Sequence, residues 1–267
     1  RADAGLLRVG GVLVHGGDAQ AEMSAALDNI FHHPNVGPFI ATRLIQRLVT
    51  SNPTPAYVQR VAAVFDDDGS AQHVRGNLRA VVRALLLDPE ARYGQWQHAD
   101  SFGKLREPLL KATHLWRALV GRSGSGRVAN LRTWPEIEDW YGEAPLRAPN
   151  VFNFFKPDFS QPGEVQARGL LSPEFQILDD TRIVATPNNL YDQIFCFYAG
   201  SDRCWDSADP ATLQMDYAAD AALAAADPAA LVDEYDTLFM AGQMSPFMRG
   251  VLLTRLQALL ADDYGAD

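Results

Sequence analysis

The residues with the reach for acid–base chemistry are few: Arg106 beside Glu107, and Glu174 at the head of a proline-marked segment. Two such groups, held near one substrate atom in environments that separate their pKa values, would make a general acid and a general base. The same three residues also read as a buried ion network, the commoner use of such pairs. His32-His33 has the composition of a metal pair, but adjacent side chains point apart and no acidic residue stands at the spacing of a zinc-binding helix. His33-Pro34-Asn35 reads better as a helix entry. Asp66-Asp67-Asp68-Gly69 opens like a calcium loop, yet its glycine falls at the fourth place rather than the sixth and no glutamate closes the twelfth. Phosphate-binding glycine loops, nucleophile elbows and zinc-protease motifs are missing from the sequence, so neither a metal nor a cofactor is expected.

Binding chemistry has more candidates. Trp134, Trp140 and Tyr141 lie shortly before the stretch 146–163, in which Phe152, Phe154, Phe155 and Phe159 are interleaved with prolines. Such a stretch can neither continue a helix nor sit in a central strand, so it is expected to be an ordered loop. In one reading its rings, with Phe152, Phe154 and Phe155 as buried anchors, plug the space between helices. In the other, Trp134, Trp140, Tyr141 and Phe159 offer a stacking surface for a glycan or peptide, with Arg147 and Asn150 orienting polar groups beside it. Glu136, Glu138 and Asp139 read as a solvated face around Ile137 and Trp140.

Cys196 and Cys204 are the two cysteines. On one continuous helix they would stand roughly 12 Å apart, too far to bond, but Gly200-Ser201-Asp202 offers a turn. A small-loop disulfide and two separate thiols both remain open at this point. With no histidine in the segment, a tetrahedral metal set there is the weaker alternative.

The elements that must position these groups are helical. Val36, Ile40, Leu44 and Leu48 recur at every fourth residue, and Thr54-Pro55 supplies a cap followed by proline at the first helical position. Ser172-Pro173, Asp227-Pro228 and Ser245-Pro246 repeat that signal. Helices are expected near 36–50, 54–65, 77–87, 108–120, 173–185, 228–241 and 246–261, the last two as a helical hairpin, while 218–226 fits a helix or a linker. Strand-length alternation is missing. The fold class is therefore mostly α, an array of antiparallel helices with a long aromatic and proline-rich loop and little or no sheet, divided into a domain over 1–180 and a helical extension over 181–267.

Composition narrows the function classes. The 267 residues are 47% hydrophobic, enough for a sizeable core. A formal charge of -10 without a basic stripe argues against nucleic acid. Apolar runs such as Leu85-Leu86-Leu87 fall far short of the roughly 20 residues that span a bilayer. Arg1 at one end and the stop after Tyr264-Gly265-Ala266-Asp267 give the chain the look of a piece of a longer protein.

Five blocks carry a resemblance. Residues 31–41 (Phe31-His32-His33-Pro34-Asn35 onward) with Leu44 to Pro53, then Val74-Arg75-Gly76-Asn77-Leu78 with Leu87 to Arg92, Lys104-Leu105-Arg106-Glu107-Pro108-Leu109, Arg147 to Gly163, and Leu171 to Ile177 appear in the order typical of the bacterial domain-of-unknown-function family 1800. The chain resembles that family most specifically from about residue 20 to 180. The resemblance implies a mostly helical, frequently exported bacterial protein, periplasmic or secreted, often encoded beside a sulfatase-like or phosphatase-like partner. It implies no established reaction. His73 stands where the family tends to have glycine, which argues against a special backbone conformation in that loop.

Two functions follow as expectations: a binding or scaffolding component of an envelope or secreted system, recognising a partner protein or glycan, and a part of an envelope hydrolase whose catalytic residues lie largely upstream of Arg1.

Overall fold

The computed structural model describes residues 7–9, 12–14, 19–127, 137–151, 153–196 and 210–261. In chain order its elements are β1 (Leu7–Val9), β2 (Val12–Val14), α1 (Ala19–Phe31), α2 (Val36–Leu48), α3 (Pro55–Asp66), α4 (Leu78–Leu87), α5 (Pro89–Gln97), α6 (Pro108–Ala118), α7 (Ile137–Tyr141), α8 (Glu164–Ala167), a 3₁₀ turn (Pro173–Ile177), α9 (Arg182–Cys196), α10 (Ala218–Ala226), α11 (Pro228–Met240) and α12 (Pro246–Ala261). The fold is mostly α, as the periodicity requires. The only sheet among the described residues is the β1–β2 hairpin, antiparallel with Leu7 opposite Val14. No helix among them is long and apolar enough to cross a membrane.

The chain divides into two compact units, residues 1–105 with 149–177, and residues 106–148 with 178–267. It thus crosses between them at 105/106, 148/149 and 177/178. The division read from the sequence at residue 180 lies beside the third crossing, and nothing in the helix punctuation set 106–148 apart.

In the first unit, local chemistry starts each helix. The Thr54 hydroxyl accepts from the Tyr57 amide at 3.2 Å with Pro55 at the first helical position. Asn77 accepts from the Ala80 amide to open α4. Asp88 ends α4 and caps α5 at once, accepting from the Glu90 amide at 2.8 Å. The apolar stripes of α2, α3 and α4 meet in one core of Ala41, Ile45, Tyr57, Val61, Ala62, Phe65, Val81 and Leu85. Two glycines are fixed by neighbours: a Cβ on Gly94 would lie 2.3 Å from the Phe102 ring, and Gly76, at φ +75, lies under Phe31 with only 2.7 Å of room.

The second unit centres on Leu115, Leu119, Leu213 and Met215. An isolated antiparallel bridge, with Arg122 and Gln214 exchanging both backbone hydrogen bonds at 2.8 and 2.7 Å, turns Leu213 and Met215 inward. α7 packs on α9, and α11 on α10 and α12. α12 packs against α11, giving the expected hairpin.

Two expectations need correction. The helix foreseen over 173–185 breaks into the 3₁₀ turn and a separate α9, because Asp179 accepts from the amides of Thr181 and Arg182 and restarts the chain at a new cap. Of the three phenylalanines expected as buried anchors, Phe155 is buried and Phe154 only half-buried; Phe152 lies outside the described residues.

Candidate functional site

Three of the blocks that carry the family resemblance reach, within the first unit, the C-terminal turn of α2 and the residues after it, 46–52, through Lys104, through Phe155 with Pro157, and through Leu171. Thr50 is fully buried, and its hydroxyl accepts from the Gly103 amide at 2.9 Å while Ser51 N–H donates to the Gly103 carbonyl. Lys104 donates to the Arg47 carbonyl at 2.8 Å and pairs with Glu174 Oε1 at 2.9 Å, a carboxylate only 1% exposed. The Arg47 guanidinium lies 4.3 Å from the centre of the Phe155 ring, a geometry that favours cation–π attraction. Gln46 Nε2 donates to the Ser51 carbonyl at 3.2 Å and reaches the Pro157 carbonyl at 3.5 Å. Asn52 makes two bonds to one residue, donating to the Leu171 carbonyl at 2.9 Å and accepting from its amide at 2.8 Å. Glu174 Oε2 is buried, with no hydrogen-bond partner among the described residues. An ion pair of this kind carries a desolvation cost that its attraction only partly offsets.

Beside this cluster runs a groove of about 870 Å³. One wall is the α2 stripe Pro38, Thr42 and Gln46, the other the α3 face Val58, Gln59, Ala62 and Ala63. Asn52 and Leu171 close one end. The lining holds a single ionisable group, Asp66, which pairs with Arg75, and it holds no aromatic ring.

A second polar cluster in the same unit joins three helices. Arg60 grips Asp88 through two bonds at 2.7 and 2.8 Å, Glu90 accepts from the Thr54 amide and hydroxyl, and Tyr57 donates to the Leu85 carbonyl at 2.7 Å. Burial, with Asp88 and Glu90 nearby, pushes the Tyr57 phenol far above its ordinary value. Every described bond in this cluster ends on a helix terminus or backbone, the geometry of a fastener.

The second unit buries a neutral network. Tyr141 donates to Asn189 Oδ1 at 2.6 Å and accepts from Gln193 Nε2 at 2.8 Å, Gln193 also donates to Asn189, and Trp116 donates to Gln193 Oε1 at 2.7 Å. Burial raises the Tyr141 pKa to about 12, against an opposing effect of the Gln193 bond.

The sequence candidates scatter over these settings. Glu174 sits in the first unit with Lys104. Arg106 is exposed, and Glu107 is half-buried at the entry of α6 in the second unit. Tyr141 is fully buried, which removes its ring from any stacking surface. Trp140 is half-buried, its carbonyl accepting from Thr186 at 2.6 Å. Arg147 is exposed and pairs with Glu138 at 2.8 Å, Asn150 is exposed and Phe159 half-buried. Trp134, Cys204 and the side chain of Cys196 lie outside the described residues. Gln46, Asn52 and Lys104 were not singled out for chemistry, although they stand inside the quoted blocks; amides and a lone lysine carry no spacing signature of their own. His33 takes the helix-entry role, its ring accepting from the Asn35 amide at 3.2 Å. The Asp66–Asp68 carboxylates are engaged by Arg75 and by their own loop. Groups of three or more metal-ligating side chains are not found among the described residues.

Fold and site together define a mostly helical protein of two units, in which dispersed sequence blocks build one buried polar cluster beside a groove. The family model described as "Protein of unknown function (DUF1800)" matches residues 7–263, and the chain belongs to that family. No curated protein and no solved structure matches it.

Proposed function

We propose that this protein is a binding component, and that the groove between α2 and α3 takes an extended, uncharged peptide segment of a partner protein. The observation that carries this reading is the lining itself: an apolar floor of Val58, Ala62, Ala63 and Leu171 edged by Thr42, Ser51 and Gln59, whose hydroxyls and amide suit peptide groups. Sugar recognition leans on stacking rings, and the groove offers none. A glycan is therefore the lesser candidate. The export of the protein and its work beside a sulfatase-like or phosphatase-like partner, expected from the family resemblance, belong to the same proposal. Peptide arrays tiled over that neighbour, followed by calorimetry with the full chain, test it: saturable binding lost in Ala63→Trp supports the groove, and binding untouched by that change refutes it.

A hydrolase reading is supported by one feature, the buried Glu174 oxygen that has no hydrogen-bond partner among the described residues. It requires ester, glycoside or peptide cleavage that Glu174→Gln abolishes; the binding reading expects no turnover by this chain.

A further inference from the structure

We infer that occupancy of the groove is transmitted to all three segments through which the chain passes between the two units. The inference rests on the binding reading of the groove and names its regulation. Each segment is held by residues 46–52. The first, ending at Leu105, is held through Thr50 and Ser51 on Gly103 and through the Arg47 carbonyl on Lys104. The second, beginning at Pro149, is held through Arg47 on the Phe155 ring and Gln46 on the Pro157 carbonyl. The third, ending at Ile177, is held through the two hydrogen bonds between Asn52 and Leu171. Two further ties connect the segments to one another: Lys104 to Glu174 between the first and third, and the Lys156 amide to Gln176 Oε1 at 2.8 Å between the second and third.

The same residues form the groove. Gln46, Ser51, Asn52 and Leu171 line it, so three of the five residues that hold the segments are also in reach of a ligand. Gln46 has both amide hydrogens committed, Nε2 donating to two carbonyls, while Oε1 accepts from Arg43 at 2.8 Å. A ligand that accepts from Gln46 Nε2 or displaces the side chain must draw on those bonds. Its effect on the segments equals the difference in its affinity for the held and released arrangements. The 3.5 Å bond to Pro157 is the weakest of the set and opens first.

The test needs no known ligand. In the full chain, Ala63→Trp places a large side chain in the groove from an exposed position on α3, and Thr42→Trp does so from the opposite wall. Backbone amide exchange is followed by NMR at Ser51, Gly103, Lys156 and Leu171, with the α4 amides as an internal reference. The expected result is a change of about tenfold or more in protection at those four amides in both variants, with α4 unchanged. Adding Gln46→Ala should remove the change at Lys156. Unchanged exchange at all four amides in both variants, or a uniform loss of protection that includes α4, overturns the coupling. Peptide binding with unmoved amides overturns the coupling and leaves the binding reading intact; moved amides with no peptide bound do the reverse.

Discussion

Both units bury polar side chains, but they satisfy them differently. In the second, Tyr141, Asn189, Gln193 and Trp116 are neutral and close on one another through four bonds between 2.6 and 2.8 Å. In the first, Lys104 and Glu174 form an ion pair, one carboxylate oxygen has no hydrogen-bond partner among the described residues, and most of the other bonds run to backbone groups of distant segments. A closed neutral network fixes its members at small cost and answers to nothing outside. An open ionic one, anchored on carbonyls, ties together pieces of chain far apart in sequence and stays sensitive to what touches it. The network of the second unit thus closes on itself, whereas the cluster around Lys104 and Glu174 in the first fastens backbone segments that are distant in sequence.

The largest expected effect breaks the ionic cluster. Lys104→Met leaves Glu174 buried without its cation and should cost about 3–5 kcal/mol in urea unfolding. Lys104→Met with Glu174→Leu should recover most of that loss, because no uncompensated charge remains. A double variant as unstable as the single would show that the pair itself, and not the orphaned carboxylate, is what matters.

Next in size is the ring that covers this cluster. Phe155→Ala removes a buried phenyl and its contact with Arg47 and should cost about 3–5 kcal/mol, whereas Phe154→Ala, at a half-buried position, should cost clearly less. Equal losses from the two would contradict the burial described here.

In the neutral network, Tyr141→Phe strands Asn189 Oδ1 and Gln193 Nε2 short of one partner each, for about 1–3 kcal/mol. Its pH dependence has a definite sign. Folding raises the phenol pKa from 10.0 to about 12, so the contribution of the hydroxyl is whole below pH 10 and drains away as pH rises through 12. The stability gap between wild type and Tyr141→Phe should accordingly narrow above pH 10. A gap constant to pH 12 would mean the phenol is not shifted.

How much of this was legible beforehand follows from what carries periodicity. α2, α3, α4, α6, α11 and α12 announce themselves through apolar spacing and proline-marked caps, and each appears within about two residues of its expected bounds. α1 and α5 passed unread: α1 buries no residue, and α5 opens directly from the Asp88-Pro89 that read as a stop. In the site, Glu174 was visible as an acid at a helix start, but its partner Lys104 lies 70 positions away, beyond any local rule. Asn52 and Gln46 work through backbone groups of Leu171 and Pro157 respectively, and such pairings leave no trace in residue type.

Smaller effects belong to the loop between α3 and α4. Hydrogen bonds from Ser70, Asn77 and Val74 hold the Asp68 carboxyl well below its ordinary value, and the Gly69 amide and His73 do the same for Asp67. Depressed carboxylates lend stability above their unfolded pKa and lose it as pH falls through the folded one. Below about pH 4 the amides of Gly69, Ser70 and Val74 should therefore exchange faster while those of α4 do not. Uniform behaviour across both would separate the loop from its carboxylates.

The smallest effect is at His73. The glycine typical of the family argued, by its absence here, against an unusual backbone, yet His73 adopts φ +51, in the left-handed region that a Cβ makes costly. It is held by its ring nitrogen on Asp67 Oδ2 at 2.8 Å and by its amide on the Ser70 carbonyl at 3.1 Å. Replacing it by glycine relieves about 1–2 kcal/mol of strain, surrenders the exposed contact with Asp67, and adds about 0.5–1 kcal/mol of unfolded-state entropy. The opposing effects nearly cancel. His73→Gly should thus leave the stability measured by urea unfolding within about 1 kcal/mol of the native value. A loss clearly greater than about 1 kcal/mol would show that the histidine positions the loop rather than merely tolerating it.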